Sequence, residues 1–190
     1  MRNNIKSAIV ILLLFTVITG IIYPLLVTGI SQLVFNNQAN GSMVVINGKC
    51  YGSELIGQQF SDPKYFWGRL SATSPSPYNA SASSGSNLGP LNPALQESIG
   101  LRIKALKSYN PGNKGPVPVD LVTCSGSGLD PHISLAAALY QSHRVAAYRG
   151  ITDEKILMLI NKAAESRQFG ILGEPRVNVL MLNLALDNML

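Results

Sequence analysis

Charge is missing from one whole stretch of this sequence: from Ser7 to Gly48 there is no Asp, Glu, Lys or Arg. The full 190 residues are also poor in charge, at 13%, and in aromatics, at 7%. Histidine is limited to His132 and His143, with no Cys or carboxylate cluster at ligand spacing, which argues against a zinc site. Cysteine is limited to Cys50 and Cys124, which could pair in an oxidising compartment or stay as two buried thiols; the spacing leaves both open. There is no G-x-S-x-G elbow, no Ser/His/Asp or Cys/His arrangement suggested by spacing, and the few carboxylates are dispersed. No catalytic residue can be named, and the profile fits an accessory protein better than an enzyme. Of the 15 Lys and Arg, all but Arg2 and Lys6 follow the uncharged stretch, scattered among ten acidic residues, so no nucleic-acid surface is indicated. The length leaves room for an anchor and one domain, not for a multi-span carrier.

What the sequence does have is a long apolar run from Ala8 to Phe35. About 20 apolar residues suffice to cross a bilayer as a helix, and a buried helix with no polar face at this length would be unusual. A cleaved signal peptide is the alternative, with Arg2 and Lys6 as its basic start. The run is too long for that, and only Val27-Thr28-Gly29 offers a passable cut. An uncleaved anchor is expected: residues 1–7 short and cytoplasmic, 8–32 transmembrane, 36–190 an extracytoplasmic mixed α/β (α+β) domain. The orientation follows from Arg2 and Lys6 before the span and no cation after it until Lys49. Within the span, Pro24 should kink the helix near Gly20, and Thr16 and Gly20 make a small-residue pair suited to close packing against another helix. A lone helix in lipid would tolerate the same residues.

Beyond the span, Met43–Ile46, Asn47-Gly48 and Lys49–Tyr51 predict a hairpin, since Asn-Gly supplies the positive φ angles of a two-residue turn. Phe60, Tyr65, Phe66 and Trp67 mark a mixed segment reaching Ser71. A Ser-, Asn-, Pro- and Gly-rich loop follows over 72–92. Asn92-Pro93 reads as an N-cap and first helical residue, with Leu95, Ile99, Ile103 and Leu106 on one face and Asn110-Pro111-Gly112 as the stop. Val119–Cys124 reads as a strand and Ser125–Gly128 as a glycine-rich turn. Helices are expected over 134–149, closed by Gly150, and over 152–167, opened by Thr152 with Asp153 and Glu154 favouring its start. The apolar tail, 177–190, reads as a short strand and a core helix.

The stretch Cys124–Asp130 is the one loop with a chemical reading, because glycine amides ahead of a helix can cradle phosphate. It lacks a P-loop lysine and the G-x-G-x-x-G pattern, so a tight turn is the stronger interpretation. Asn40-Gly41-Ser42 and Asn79-Ala80-Ser81 match glycosylation sequons, a pattern common by chance.

A series of short words then covers nearly the whole chain. It runs through Gly20-x-x-Tyr23-Pro24-Leu25, Gln38–Ser42, Gly52-Ser53-x-Leu55-Ile56-Gly57-Gln58-x-Phe60 and Tyr65-Phe66-x-Gly68-Arg69-x-Ser71-Ala72-Thr73. It continues with Gly85–Leu88, Val119-x-Leu121-Val122-Thr123-x-Ser125–Ile133, Gln141-x-x-Arg144-Val145-Ala146 and Gly173-x-Pro175-x-Val177-Asn178-Val179-x-x-Leu182-Asn183. In this order the words resemble the C chain (KdpC) family of the high-affinity potassium-transporting P-type ATPase of bacteria and archaea. The resemblance implies a non-catalytic subunit of an inner-membrane complex, partnered by a potassium-channel-like subunit, a P-type pump subunit and a further small single-helix subunit. It implies no cofactor of its own, with ATP and potassium acting through the complex. It also implies a catalytic-chaperone role that raises the pump subunit's affinity for ATP, with Gln141 and Ser125, Gly126, Ser127 and Gly128 as nucleotide-binding residues. Ser83-Ser84-Gly85 and Cys124 depart from the expected pattern, the latter next to that loop. The expected topology puts Gln141 outside, away from cytoplasmic ATP, so a structural role for Gln141, bonded to the Ser125–Asp130 loop, is the reading preferred here.

Overall fold

The computed structural model describes residues 2–188, so Met1, Met189 and Leu190, ends of the expected first and last segments, lie outside the described residues. The chain divides into two units, Met1–Tyr51 and Gly52–Leu190.

The first unit is mainly one continuous helical rod: α1 (Arg2–Val17), a π-helical segment (Ile18–Ile22) and α2 (Tyr23–Val34). Its Asn4–Val34 portion is long and apolar enough to cross a membrane, with a mean hydropathy of 2.7 in its most apolar window and none of that window buried. At about 1.5 Å per residue it exceeds the ~30 Å hydrocarbon core. Around Gly20, where a kink was expected, the helix takes a wider, π-helical turn. Pro24 has no N–H for the Gly20 carbonyl, and one residue earlier the Tyr23 N–H reaches back five residues to Ile18 O. A short turn, α3 (Asn36–Ala39), follows, and then β1 (Met43–Ile46) pairs with β2 (Lys49–Ser53). The Asn47-Gly48 turn between them has φ of 51° and 77°, as a two-residue hairpin turn needs.

The second unit is a mixed helix and sheet domain. After a long irregular stretch, interrupted by a 3₁₀ turn at Ala80–Ala82, comes α4 (Pro93–Tyr109), capped by Asn92, whose side-chain oxygen accepts the Ala94 N–H at 3.0 Å. Next come β3 (His132–Ser134), α5 (Leu135–Arg149), α6 (Asp153–Ala163), β4 (Ala164–Glu165), β5 (Arg176–Asn178) and α7 (Val179–Asp187). The small sheet is antiparallel in the order β3-β5-β4, with Ile133 opposite Val177 and Ala164 opposite Val177. Ser134 caps α5 and Gly150 closes it at φ 63°. Thr152 stands at the N-cap of α6 without a side-chain bond. Ile133, Val145, Ile156, Ile160, Val177, Leu182 and Leu186 are buried between helices and sheet, each contributing about 1.5–3 kcal/mol.

Two expectations need correction. Val119–Cys124 is not a strand: Val119–Leu121 forms a 3₁₀ turn. The Val119 carbonyl is taken by the Val122 and Thr123 amides and by the Thr123 hydroxyl at 2.8 Å, so local bonds displace a sheet ladder. Only Cys124 pairs, in a parallel bridge with Leu70. The helix expected over 152–167 stops at Ala163, because Ala164 and Glu165 turn extended to pair with β5.

Candidate functional site

An extended stretch from Phe66 to Thr73 runs through the second unit, and outside the Leu70–Cys124 bridge it belongs to no sheet. Its peptide groups are buried or half-buried and need partners. They find them on side chains from three helices. Asn183 of α7 accepts the Phe66 N–H at 2.9 Å and donates to the Phe66 carbonyl at 3.0 Å. Gln141 of α5 treats Trp67 the same way, at 2.8 and 3.1 Å. Arg102 of α4 donates to the Gly68 carbonyl at 2.9 Å. The Tyr78 hydroxyl donates to the Arg69 carbonyl at 2.6 Å, and the Ser71 hydroxyl donates to Gly128 O at 2.7 Å. Two primary amides thus stand in for the neighbouring strands a sheet would provide.

Gln141 is 1% exposed. Beyond Trp67, its amide nitrogen donates to Ala137 O and its oxygen accepts from Arg144 Nη2 at 2.6 Å. Both ends of the side chain are therefore committed inside the domain. The expected bond between Gln141 and the Ser125–Asp130 loop is not what forms; the partner is the Trp67 peptide.

Arg144 is 2% exposed and makes no ion pair among the described residues; it donates to the carbonyls of Pro63 and Tyr65 as well as to Gln141. Two guanidiniums sit over the Trp67 ring: Arg144 and Arg102 lie 4.6 and 4.8 Å from its centroid. Burial, with the nearby charge of Arg102, lowers the Arg144 pKa to about 10, and burial lowers Arg102 as well. Burial pushes Tyr78 up to about 12. Its ring occupies space that Gly57 and Gly68 leave open; a Cβ on Gly68 would stand 2.8 Å from the Tyr78 hydroxyl.

The glycine loop docks on the other end of the same stretch. Ser125 N–H donates to Leu70 O, and the Ser127 carbonyl accepts from Ser84 N–H and the Ser83 hydroxyl, each at 3.0 Å. Gly128 has φ +69°, and a Cβ there would meet Ser84 O and the Thr73 methyl. Its glycine is required by conformation and by close approach. Gly126 and Ser127 form the exposed tip. The loop does not open onto a helix, since β3 intervenes. At the start of α5 the Asp120 carboxylate accepts the N–H of the N-cap residue Ser134 at 2.7 Å, which puts a negative charge there already. No bond joins Gln141 to the loop among the described residues.

Two clefts flank Arg69. The smaller, about 190 Å³, is lined by Phe60, Trp67, Tyr78 and Arg102 among others. The larger, about 310 Å³, carries the carboxylates of Asp120, Asp130 and Glu174. Arg69 joins Asp130 at 3.2 Å and donates to Cys124 O. Burial opposes the Asp130 charge, but hydrogen bonds from His132 and the Arg69 charge outweigh it and hold the carboxyl below its ordinary range. Burial raises the Cys124 thiol. Cys50 and Cys124 are both free. Among the described residues no group of three His, Cys, Asp or Glu side chains is placed to hold a metal.

In the first unit, the Thr16 hydroxyl donates to Leu12 O at 2.8 Å, Gly20 lies within the π-helical segment with open space around it, and Pro24 sits in the first turn of α2. Sequence reasoning did not assign roles to Asn183, Arg144, Arg102 or Tyr78. The i, i+3 spacing of Gln141 and Arg144 was a usable signal, and so was Arg102 between the core-facing Ile99 and Ile103.

The family model described as "KdpC: K+-transporting ATPase, c chain" matches residues 5–188. The chain is 61% identical to a protein of Methylococcus capsulatus named potassium-transporting ATPase KdpC subunit, over 98% of each chain. It is 59% identical to the protein of that name from Herpetosiphon aurantiacus, over 98% of this chain and 97% of the relative, and 56% identical to the one from Dechloromonas aromatica, over 99% and 98%.

Proposed function

This chain belongs to the KdpC family, the c chains of K+-transporting ATPases, and on that premise we propose that it is a non-catalytic accessory subunit that assembles and stabilises a high-affinity, ATP-driven potassium uptake complex. Its partners are a potassium-channel-like subunit, the P-type pump subunit and a further small single-helix subunit. The apolar helix anchors it in the cell membrane, with Thr16, Gly20 and Pro24 facing a partner helix. Arg2 and Lys6 keep the N-terminus in the cytoplasm, and the domain after the span lies outside. Protease added to intact spheroplasts is expected to digest that domain and spare a cytoplasmic control; protection until lysis would reverse the orientation.

Raising the pump's affinity for ATP, in this reading, works through assembly and not through a contact between Gln141 and nucleotide. The carrying observation is the Gln141 side chain, 1% exposed and bonded at both ends to Trp67, Ala137 and Arg144. To reach ATP it would have to abandon two buried peptide groups. Gln141→Ala is therefore expected to raise the apparent ATP Michaelis constant only in proportion to complex lost. The measurement is ATP kinetics per intact complex, with content checked by gel filtration. A large rise with content and stability unchanged would restore a direct nucleotide role.

A further inference from the structure

The hairpin joining β4 to β5 ends in an apolar tip that the domain does not use. Phe169 is 91% exposed, Ile171 74% and Leu172 54%. Phe169 also sits at φ +53°, in the left-handed region that a bulky side chain disfavours. Two costs, hydration of an aromatic ring and a strained backbone, thus fall on one residue with no buried contact to offset them.

The tip is nonetheless held firmly. Gln168 and Leu172 exchange two backbone hydrogen bonds of 2.9 Å, and the Gly170 N–H closes onto Arg167 O at 3.1 Å. Below them Arg167 Nη2 reaches both carboxylate oxygens of Glu174, at 2.7 and 2.6 Å, and Arg176 joins Glu165 at 2.9 Å. Such a braced loop presents its side chains with little ordering entropy left to lose on binding.

We infer that the Phe169–Leu172 tip is a plug that seats in an apolar, uncharged pocket on the extramembrane surface of another subunit of the same ATPase, an inference that rests on the subunit reading above. Charge argues for a protein pocket over a lipid surface. A loop meeting anionic headgroups gains from unpaired cations, and here Arg167 and Arg176 are each neutralised by a glutamate, leaving a collar without net charge. Area argues against a second copy of this chain. The three side chains offer on the order of 300–400 Å² of apolar surface, about half of what each side of a standard interface buries. The plug is too small to hold a dimer alone and suits a complex already held together elsewhere. An aromatic anchor in a fitted pocket is the usual form of a binding hot spot.

The test uses the full complex, purified in detergent and in lipid nanodiscs, with Phe169→p-benzoylphenylalanine in this chain. Irradiation is expected to join the chain to one other subunit, at a peptide rich in apolar residues. Adducts to lipid alone, to a second copy alone, or no adduct in a complex that contains the chain would each overturn the plug. Phe169→Gly gives a second readout, since glycine accepts the positive φ. The free chain's melting temperature is expected to hold or rise, while dissociation from the complex quickens roughly 30-fold. Unchanged dissociation would also overturn it. If the unsubstituted chain fails to co-purify with ATPase subunits at all, the subunit reading itself falls, and the plug with it.

Discussion

Two segments of the second unit, one extended and one a tight hairpin tip, meet opposite fates. Phe66–Thr73 is threaded through the interior, and its peptide groups at Phe66, Trp67 and Gly68 are satisfied by side chains from α4, α5 and α7. Arg167–Glu174 stands in solvent and satisfies itself by a hairpin turn and an ion pair. The first depends on residues far away in sequence, so damage at any one of them reaches the whole domain. The second depends only on its neighbours, and its apolar residues can change without disturbing the fold. The contrast separates residues kept for the domain's integrity from residues free to serve a partner.

The sharpest way to break this contrast is to remove the largest buried polar group. Arg144→Ala takes away donors to Pro63, Tyr65 and Gln141 and one of the two cations over the Trp67 ring. A loss of about 3–5 kcal/mol is expected, read by chemical unfolding of the detergent-solubilised chain. A loss below about 1 kcal/mol would mean that the threaded segment is held without help from Arg144.

Gln141→Ala comes next. It strands the Trp67 N–H and carbonyl in a dry interior, at a cost of about 2–4 kcal/mol in the same measurement. Gln141→Glu keeps the acceptor for Trp67 N–H and for Arg144 but loses the donor to Trp67 O, so it is expected to cost less than alanine. Equal costs would argue that the donor to the carbonyl carries the effect.

The segments that were legible in the sequence are those whose chemistry is local. Asn47-Gly48 carries its own turn, Asn92-Pro93 its own cap, Gly150 its own stop, and the apolar run its own length. Val119–Cys124 was misread because its β-branched composition outweighed the local claim of Thr123 and three backbone and side-chain donors on one carbonyl. The threaded segment was illegible for the converse reason: Gln141 is 74 residues from Trp67 and Asn183 is 117 from Phe66. No periodicity links positions that far apart. The family words marked Phe66, Gln141 and Asn183, with Trp67 at an unspecified position, yet words alone do not say whether a glutamine meets a nucleotide or a peptide bond.

The smallest expected effect concerns acid, and it compares the ion pairs at the two segments. Asp130 holds Arg69 on the threaded stretch and accepts from His132, and its folded pKa lies below its ordinary value of 3.8. A carboxyl with a depressed folded pKa binds fewer protons in the folded state than in the unfolded one. Its contribution is therefore complete above the unfolded pKa and fades as pH falls through the folded value. The Glu174 pair with Arg167 is more exposed, with Glu174 77% open to solvent, and such pairs contribute little. Melting temperature measured from pH 6 down to pH 3 should thus decline, and Asp130→Asn should flatten part of that decline by lowering the starting point. Glu174→Gln should leave the curve where it was, within about 0.5 kcal/mol. If instead Glu174→Gln reshapes the acid limb and Asp130→Asn does not, the hairpin is coupled to the domain's stability. The separation between a buried scaffold and an independent tip would then fail.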